Sequence, residues 1–308
     1  MRKTAESIPE TLNIALTAAS VSGALFLLWL ASHTESWVVR IAAAVAFSFV
    51  NNTIFSLLHE AVHGVFHPKK GINEVFGRLT AAFFPTGLTF QRICHLGHHR
   101  RNRSDVELFD YVLPGESRVV KAVQWYGILT GVYWLLPPLA GLAYLVAPSL
   151  FRPHGGSRLL RQTSADAMLS GFEEAPEGKL RLEILFSILV QAGLWWALDL
   201  NLWGWGACYA AFAVNWSSLQ YADHAWSERD VHDGAWNLQV NRVVRYLFLN
   251  YHHHKAHHQH PNVPWLHLPR YVDPAEERPS FLGIYLRMWR GPRPWPDGEE
   301  ATKSHGSL

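Results

Sequence analysis

Three short histidine clusters follow one another along this 308-residue chain: His59-Glu-Ala-Val-His63, His95-Leu-Gly-His98-His99 and His254-Lys-Ala-His257-His258. A lone His224 stands between the second and the third. Neutral imidazole is the commonest metal ligand among side chains. Residues four apart share one face of a helix, so His59/His63, His95/His99 and His254/His258 each read as a pair of converging donors. His98 and His257 sit beside those pairs, and His224 completes a set of nine imidazoles. Nine nitrogens exceed what one ion can use. Two metals, each with four or five nitrogens and room left for oxygen, is the economical reading, and such a donor set suits iron rather than calcium or magnesium. The clusters border membrane-length apolar segments. Together these features point to oxidation chemistry on a lipid.

The elements that must position the clusters follow from hydropathy. Hydrophobic residues make up 49% of the chain and charged residues 17%, with the apolar residues gathered in runs. A hydrocarbon core about 30 Å thick takes about 20 apolar residues to cross as a helix. Residues 11–32, 37–58, 184–200 and 203–222 meet that length, the second with Arg40 near one end, where it can snorkel to the interface. A fifth apolar stretch, 125–147, is interrupted by Pro137-Pro138 and reads as a re-entrant or interfacial hairpin. The expectation is one all-α, integral-membrane domain over residues 1–308, with four transmembrane helices and a cytoplasmic helical cap carrying the histidine clusters. Residues 148–183 read as a cytoplasmic loop with an amphipathic helix, and 291–308 as a polar, frayed tail. No cleavable signal pattern follows the first apolar run, which is expected to stay in the mature protein.

Charge agrees with four crossings. All but one of the 27 Lys and Arg residues lie in 1–10, 59–124, 148–183 and 223–308, and the short loops 33–36 and 201–202 hold none. Positive residues favour the cytoplasmic side of short loops, which puts both termini and every cluster on that face. A full crossing by 125–147 would place His224 and the last cluster opposite the first two. The net charge of +2 is too small to suggest nucleic acid as a partner, and two cysteines, Cys94 and Cys208, exclude a disulfide framework.

The three ordered boxes and the isolated histidine resemble the membrane fatty acid desaturase and hydroxylase superfamily, over roughly residues 35–265. The last box of that superfamily often reads His-Asn-Tyr-His-His-Ser-Phe-Pro, and His254-Lys-Ala-His257-His258-Gln-His260-Pro261 aligns with it without a gap. Three residues separate the histidines of the first box, the spacing of acyl-lipid and bacterial members, where animal acyl-CoA members have four. The resemblance implies two ferrous ions, O2 as co-substrate, and His59, His63, His95, His98, His99, His224, His254, His257 and His258 as metal ligands. In acyl-CoA members an Asn four residues before the isolated histidine contacts iron through water; Gln220 holds that place here. The implied reaction is removal of hydrogen from a methylene of a fatty acyl chain to leave a double bond. Hydroxylation, carotenoid ketolation and oxidative decarboxylation are open alternatives. The resemblance also implies an apolar tunnel between the spans, a bacterial inner-membrane location, and a separate electron donor (ferredoxin, rubredoxin or cytochrome b5-like) with its reductase.

Other readings compete at single positions. His59-Glu60-x-x-His63 is also the zinc-protease signature with Glu60 as general base, but it would leave the other boxes surplus. A metal transporter would carry its polar ligands at mid-membrane, where these spans have almost none. With metals bound, Glu60 is expected to stand behind a ligand imidazole as acceptor. Asn102, Asp105, Asp110, Asp223, Asn237 and Asn250 are candidates for orienting ligands, set against ordinary capping or turn roles. Cys94 is expected to be a packing residue, and His33, His67 and His232 to be surface or interfacial. His252, His253, His260 and His267 are left out of the ligand set, with His252 or His253 able to replace His254 if the helix register slips. Trp195, Trp196, Trp203 and Trp205 are expected to anchor at the membrane interface rather than line the tunnel. His154-Gly155-Gly156 reads as an exposed turn.

Overall fold

The computed structural model describes residues 6–151, 171–172 and 175–296. Long helices form where the apolar runs predict them: α1 Glu10–His33, α2 Trp37–His63, α7 Glu177–Ala197 and α8 Leu202–Ala222. Between α2 and α7 lie α3 Lys70–Ala82, α4 Leu88–Arg101, α5 Arg118–Leu129 and α6 Leu136–Val146. After α8 come three short helices, α9 Arg242–Leu247, α10 His254–Gln259 and α11 Phe281–Met288. The all-α expectation misses one detail, a two-residue parallel pairing of β1 Tyr111–Val112 with β2 Arg293–Pro294.

Helices α1, α2 and α7 are long and apolar enough to cross a membrane, and the bent pair α5/α6 brings the number to as many as four. Their outward faces carry Phe26, Trp29, Val38, Ile41, Leu182 and Leu189 in the open, a surface suited to lipid and costly in water. Helix α8 has the expected length but falls short in apolarity, carrying Asn215, Ser217, Ser218 and Gln220. Its position explains the composition. It packs against α1 and α2, with Cys208, Phe212, Ser217 and Ala222 buried, so protein rather than lipid meets its polar side chains.

The fifth stretch bends, though not at its prolines. Pro137 and Pro138 fall in the first turn of α6, where a missing N–H costs nothing. The 85° break between Arg118–Leu129 and Val132–Val146 lies upstream, at Thr130-Gly131. Gly131 has φ +83°, and a Cβ there would come within 2.6 Å of the Val214 nitrogen, so the corner is pressed directly onto the α8 backbone. Residues 291–296 also differ from a frayed tail: the Arg293 N–H donates to the Asp110 carbonyl and the Trp295 N–H to that of Val112. The remaining tail, 297–308, and most of the 148–183 loop, including His154-Gly155-Gly156, lie outside the described residues.

Hydrogen bonds across elements fix the three box-bearing segments relative to one another. The Arg92 guanidinium on α4 donates to the carbonyls of Ala61 and Val62 in the last turn of α2. The start of α4 is capped from α7, where the Glu183 carboxylate accepts from the Thr89 N–H at 2.7 Å. On α2, the hydroxyls of Thr53 and Ser56 donate to the carbonyls of Leu247 and Phe248, holding the approach to α10 against the first box. The Asn237 side chain caps α10 by accepting from the Ala256 N–H at 3.1 Å.

Candidate metal centre

All three boxes and His224 converge, in two groups. His59, His63, His95 and His257 form one, and His98, His224, His254 and His258 the other; within each, the donor atoms all lie within 4.8 Å of one another. His99 adjoins the first group, its Nε2 2.9 Å from that of His257 and 3.1 Å from that of His95, while its ring stacks 4.3 Å from His258 of the second. The i, i+4 pairs keep together as helix geometry requires: His59 with His63, His95 with His99, His254 with His258. The middle histidines cross over. His98 leaves its box for the second group and His257 leaves its own for the first, so each group draws on different elements. His254 keeps its register in α10, and neither His252 nor His253 replaces it.

Nitrogen donors gathered this closely form two clusters that could each hold a metal ion. The Nε2 atoms of His63 and His95 approach to 2.8 Å, and those of His59 and His224 are buried without a hydrogen-bond partner. Burial first, and then the charge of neighbouring rings, holds His95, His224, His254, His257 and His258 well below the usual imidazole range and takes His99 down to about 2. Neutral imidazoles are the form that binds metal. The donor set therefore fits two metal ions. Around it, the His98 ring meets the Glu107 carboxylate at 2.7 Å, the His224 ring meets the Gly234 carbonyl at 2.9 Å, and Asp223 lies 3.5 Å from His254 Nδ1. Burial pushes the Asp223 carboxyl well above its usual range, the opposite of what an adjacent cation would do.

The other candidates divide. Glu60 is 3.9 Å from His59 Nδ1, too far for a hydrogen bond, and its second oxygen accepts from the Trp265 N–H, so it is neither the expected close acceptor nor a base aimed at the donors. Asp110 is structural, paired with Arg103 at 2.8 Å and hydrogen-bonded by Tyr221, while Asp105 forms an exposed ion pair with Arg229. Asn102 donates to the carbonyls of Val231 and Gly234 and stands 3.5 Å from His258. Gln220 accepts from the Tyr251 hydroxyl at 3.0 Å and leaves its amide nitrogen buried and unpartnered. Cys94 is half-buried on the cavity wall, its thiol pushed up to about 12 by burial, and it belongs to neither donor group. His67 is buried, not at the surface, and accepts from the Lys69 N–H. Glu107 and Tyr251 were not legible in the sequence, since neither falls in a box and their contacts with His98 and Gln220 are made only by the fold.

A cavity of about 560 Å³ reaches the imidazoles, three of the second group and His95 of the first. Ile128, Tyr133, Leu136, Leu139 and Ala143 of the bent α5/α6 segment form one side, Phe55, Phe84, Phe90 and Trp216 another, and His95, His98, His224 and His254 the end. None of Trp195, Trp196, Trp203 and Trp205 lines it; Trp196 and Trp203 are exposed at helix ends.

The sequence model of the family Fatty acid desaturase matches residues 35–291, which include all three boxes and His224. The chain belongs to the fatty acid desaturase family. Among curated proteins, a beta-carotene ketolase from Paracoccus sp. (strain N81106 / MBIC 01143) is 24% identical over 285 residues, covering 86% of this chain and 96% of the ketolase. Membership makes this desaturase-family protein a membrane oxidoreductase of that superfamily, and it leaves no ground for the zinc-protease and transporter readings of the same histidines.

Proposed function

We propose that the protein is a di-iron, O2-dependent oxidoreductase that oxidises a methylene of a long apolar lipid, in the first reading by introducing a double bond into a fatty acyl chain. The observation that carries this is the apolar cavity whose wall includes His98, His224 and His254 of one imidazole group and His95 of the other. Iron held by His59, His63, His95, His99 and His257 on one side and His98, His224, His254 and His258 on the other would supply O2 activation, using electrons from a separate donor. The chain's own residues do the rest. Phe55, Phe84, Tyr133 and Trp216 exclude water and align an extended chain, and the α5/α6 corner closes the cavity wall. Gln220, held by Tyr251, offers a free amide beside the second group, as expected of a residue that acts through water. The charge distribution supports a cytoplasmic face for the cap and both termini in a bacterial inner membrane, with a ferredoxin, rubredoxin or cytochrome b5-like donor and its reductase docking there.

A second reading, insertion of a keto group into a carotenoid, is favoured by the near end-to-end match to the ketolase. Hydroxylation and oxidative decarboxylation would use the same donors. Lipid and hydrocarbon profiling of a bacterial host expressing the chain, with and without a carotene supply, decides among them. A new alkene in acyl chains supports the first reading and a ketocarotenoid the second. A profile identical to that of a His98→Ala control speaks against both.

A further inference from the structure

The two imidazole groups differ in what stands behind their rings. In the cavity-facing group two of four Nδ1 atoms are hydrogen-bonded to an acceptor, His98 to the Glu107 carboxylate at 2.7 Å and His224 to the Gly234 carbonyl at 2.9 Å, while that of His254 lies 3.5 Å from the Asp223 carboxylate with no hydrogen bond formed. In the other group the nearest carboxylate is that of Glu60, 3.9 Å from His59 Nδ1. Among the described residues no acceptor lies within hydrogen-bond distance of Nδ1 of His63, His95 or His257. Both carboxylates behind the cavity-facing group are buried. Glu107 is steadied by the Arg101 guanidinium at 3.1 Å, whereas Asp223 is fully enclosed and neither of its oxygens has a hydrogen-bond partner. A buried, unpaired carboxylate is costly unless a cation stands near, and it lies beside the unpartnered Nδ1 of His254. An acceptor behind a ligand imidazole fixes its tautomer and ring orientation and makes it a stronger donor.

We propose that Glu107 and Asp223 are positioning residues that make the two metal positions unequal, the cavity-facing group holding its ion more tightly than the group built on His59 and His63. The proposal rests on the two-metal reading above. Donor number alone argues for the reverse order, because His99 adds a fifth imidazole to the other group.

The test uses full-length protein in detergent, loaded with ferrous iron without oxygen, then challenged with a chelator while iron release is followed. Wild type is expected to load two ions and release them in two phases. His63→Ala should remove the fast phase and spare the slow one. Glu107→Gln and Asp223→Asn, tested separately so that one unstable variant does not decide the matter, should each speed the slow phase about 10–100-fold and leave the fast phase alone. In Mössbauer spectra each should perturb one of two iron signals, an effect that loss of general stability would not produce. Release of both ions at one rate in wild type, or variants that act on both phases alike or on the fast phase, overturns the proposal while the two-metal reading stands. Wild type that loads fewer than two ions overturns both.

Discussion

At the residue scale, the histidines work because they stay neutral. Nine imidazoles packed this closely cannot all take up protons, and burial adds to the penalty. Unfolded histidine binds a proton near pH 6.5, whereas His99 in the fold resists until about pH 2. Below about pH 6.5 the unfolded chain therefore binds more protons than the folded one, and stability falls as pH falls. Thermal unfolding of metal-free protein should show a falling midpoint as pH is lowered from about 7.5 to about 5.5. A midpoint that rises over that range would mean the rings are charged in the fold. Substituting a crossing histidine should be as damaging as substituting a paired one. His257→Ala and His98→Ala are each expected to abolish turnover and to lower bound iron while the protein still inserts in membranes, as metal analysis of purified membranes would show.

At the element scale, the loop after the second box is held by a buried cluster rather than by secondary structure. Arg103 pairs with Asp110, and the Tyr221 hydroxyl accepts from the N–H groups of Phe109 and Asp110 while donating to the Asp110 carboxylate. Removing one member of a buried ion pair leaves the other uncompensated, at a cost of about 3–5 kcal/mol. Asp110→Ala should lower the thermal midpoint strongly even in the iron-loaded protein, with turnover falling because Tyr221, the penultimate residue of α8, steadies the approach to His224. The α5/α6 corner carries a second prediction. Gly131→Ala places a Cβ against the α8 backbone in a left-handed conformation that costs about 1–2 kcal/mol on its own. The expected outcome is a widened corner, read as an altered product distribution in lipid profiling together with a lower thermal midpoint. An unchanged profile would separate the corner from substrate placement.

At the scale of the whole molecule, the fold solves a topological problem. Three boxes separated by long stretches of chain meet in two adjoining groups, and on the proposed topology the 85° bend in the fifth apolar stretch would return the chain to the side it left. Reporters fused after Thr34 and at the C-terminus should report opposite sides of the membrane, with the second cytoplasmic. Fusions reporting the same side would remove the orientation argument. On the proposed orientation the Lys and Arg residues around the boxes would meet a soluble electron donor, and the rate of reduction by such a donor should fall as salt screens the encounter.

What the sequence determined by itself is what depends on local periodicity. Helical spacing made His59/His63, His95/His99 and His254/His258 face the same way, run length located α1, α2, α7 and α8, and charge in the loops agreed with a shared face for the boxes. It did not reveal which group His98 and His257 would join, because that depends on how α2, α4 and α10 are rotated against one another. It also misplaced the break in the fifth stretch, since prolines in a first helical turn look the same in a sequence as prolines that interrupt a helix. Asp223 was already a positioning candidate from its place beside His224, whereas Glu107 became one only through its contact with His98 in the fold. A hydrogen bond behind a ligand ring has no required spacing along the chain, so only the tertiary structure could decide it.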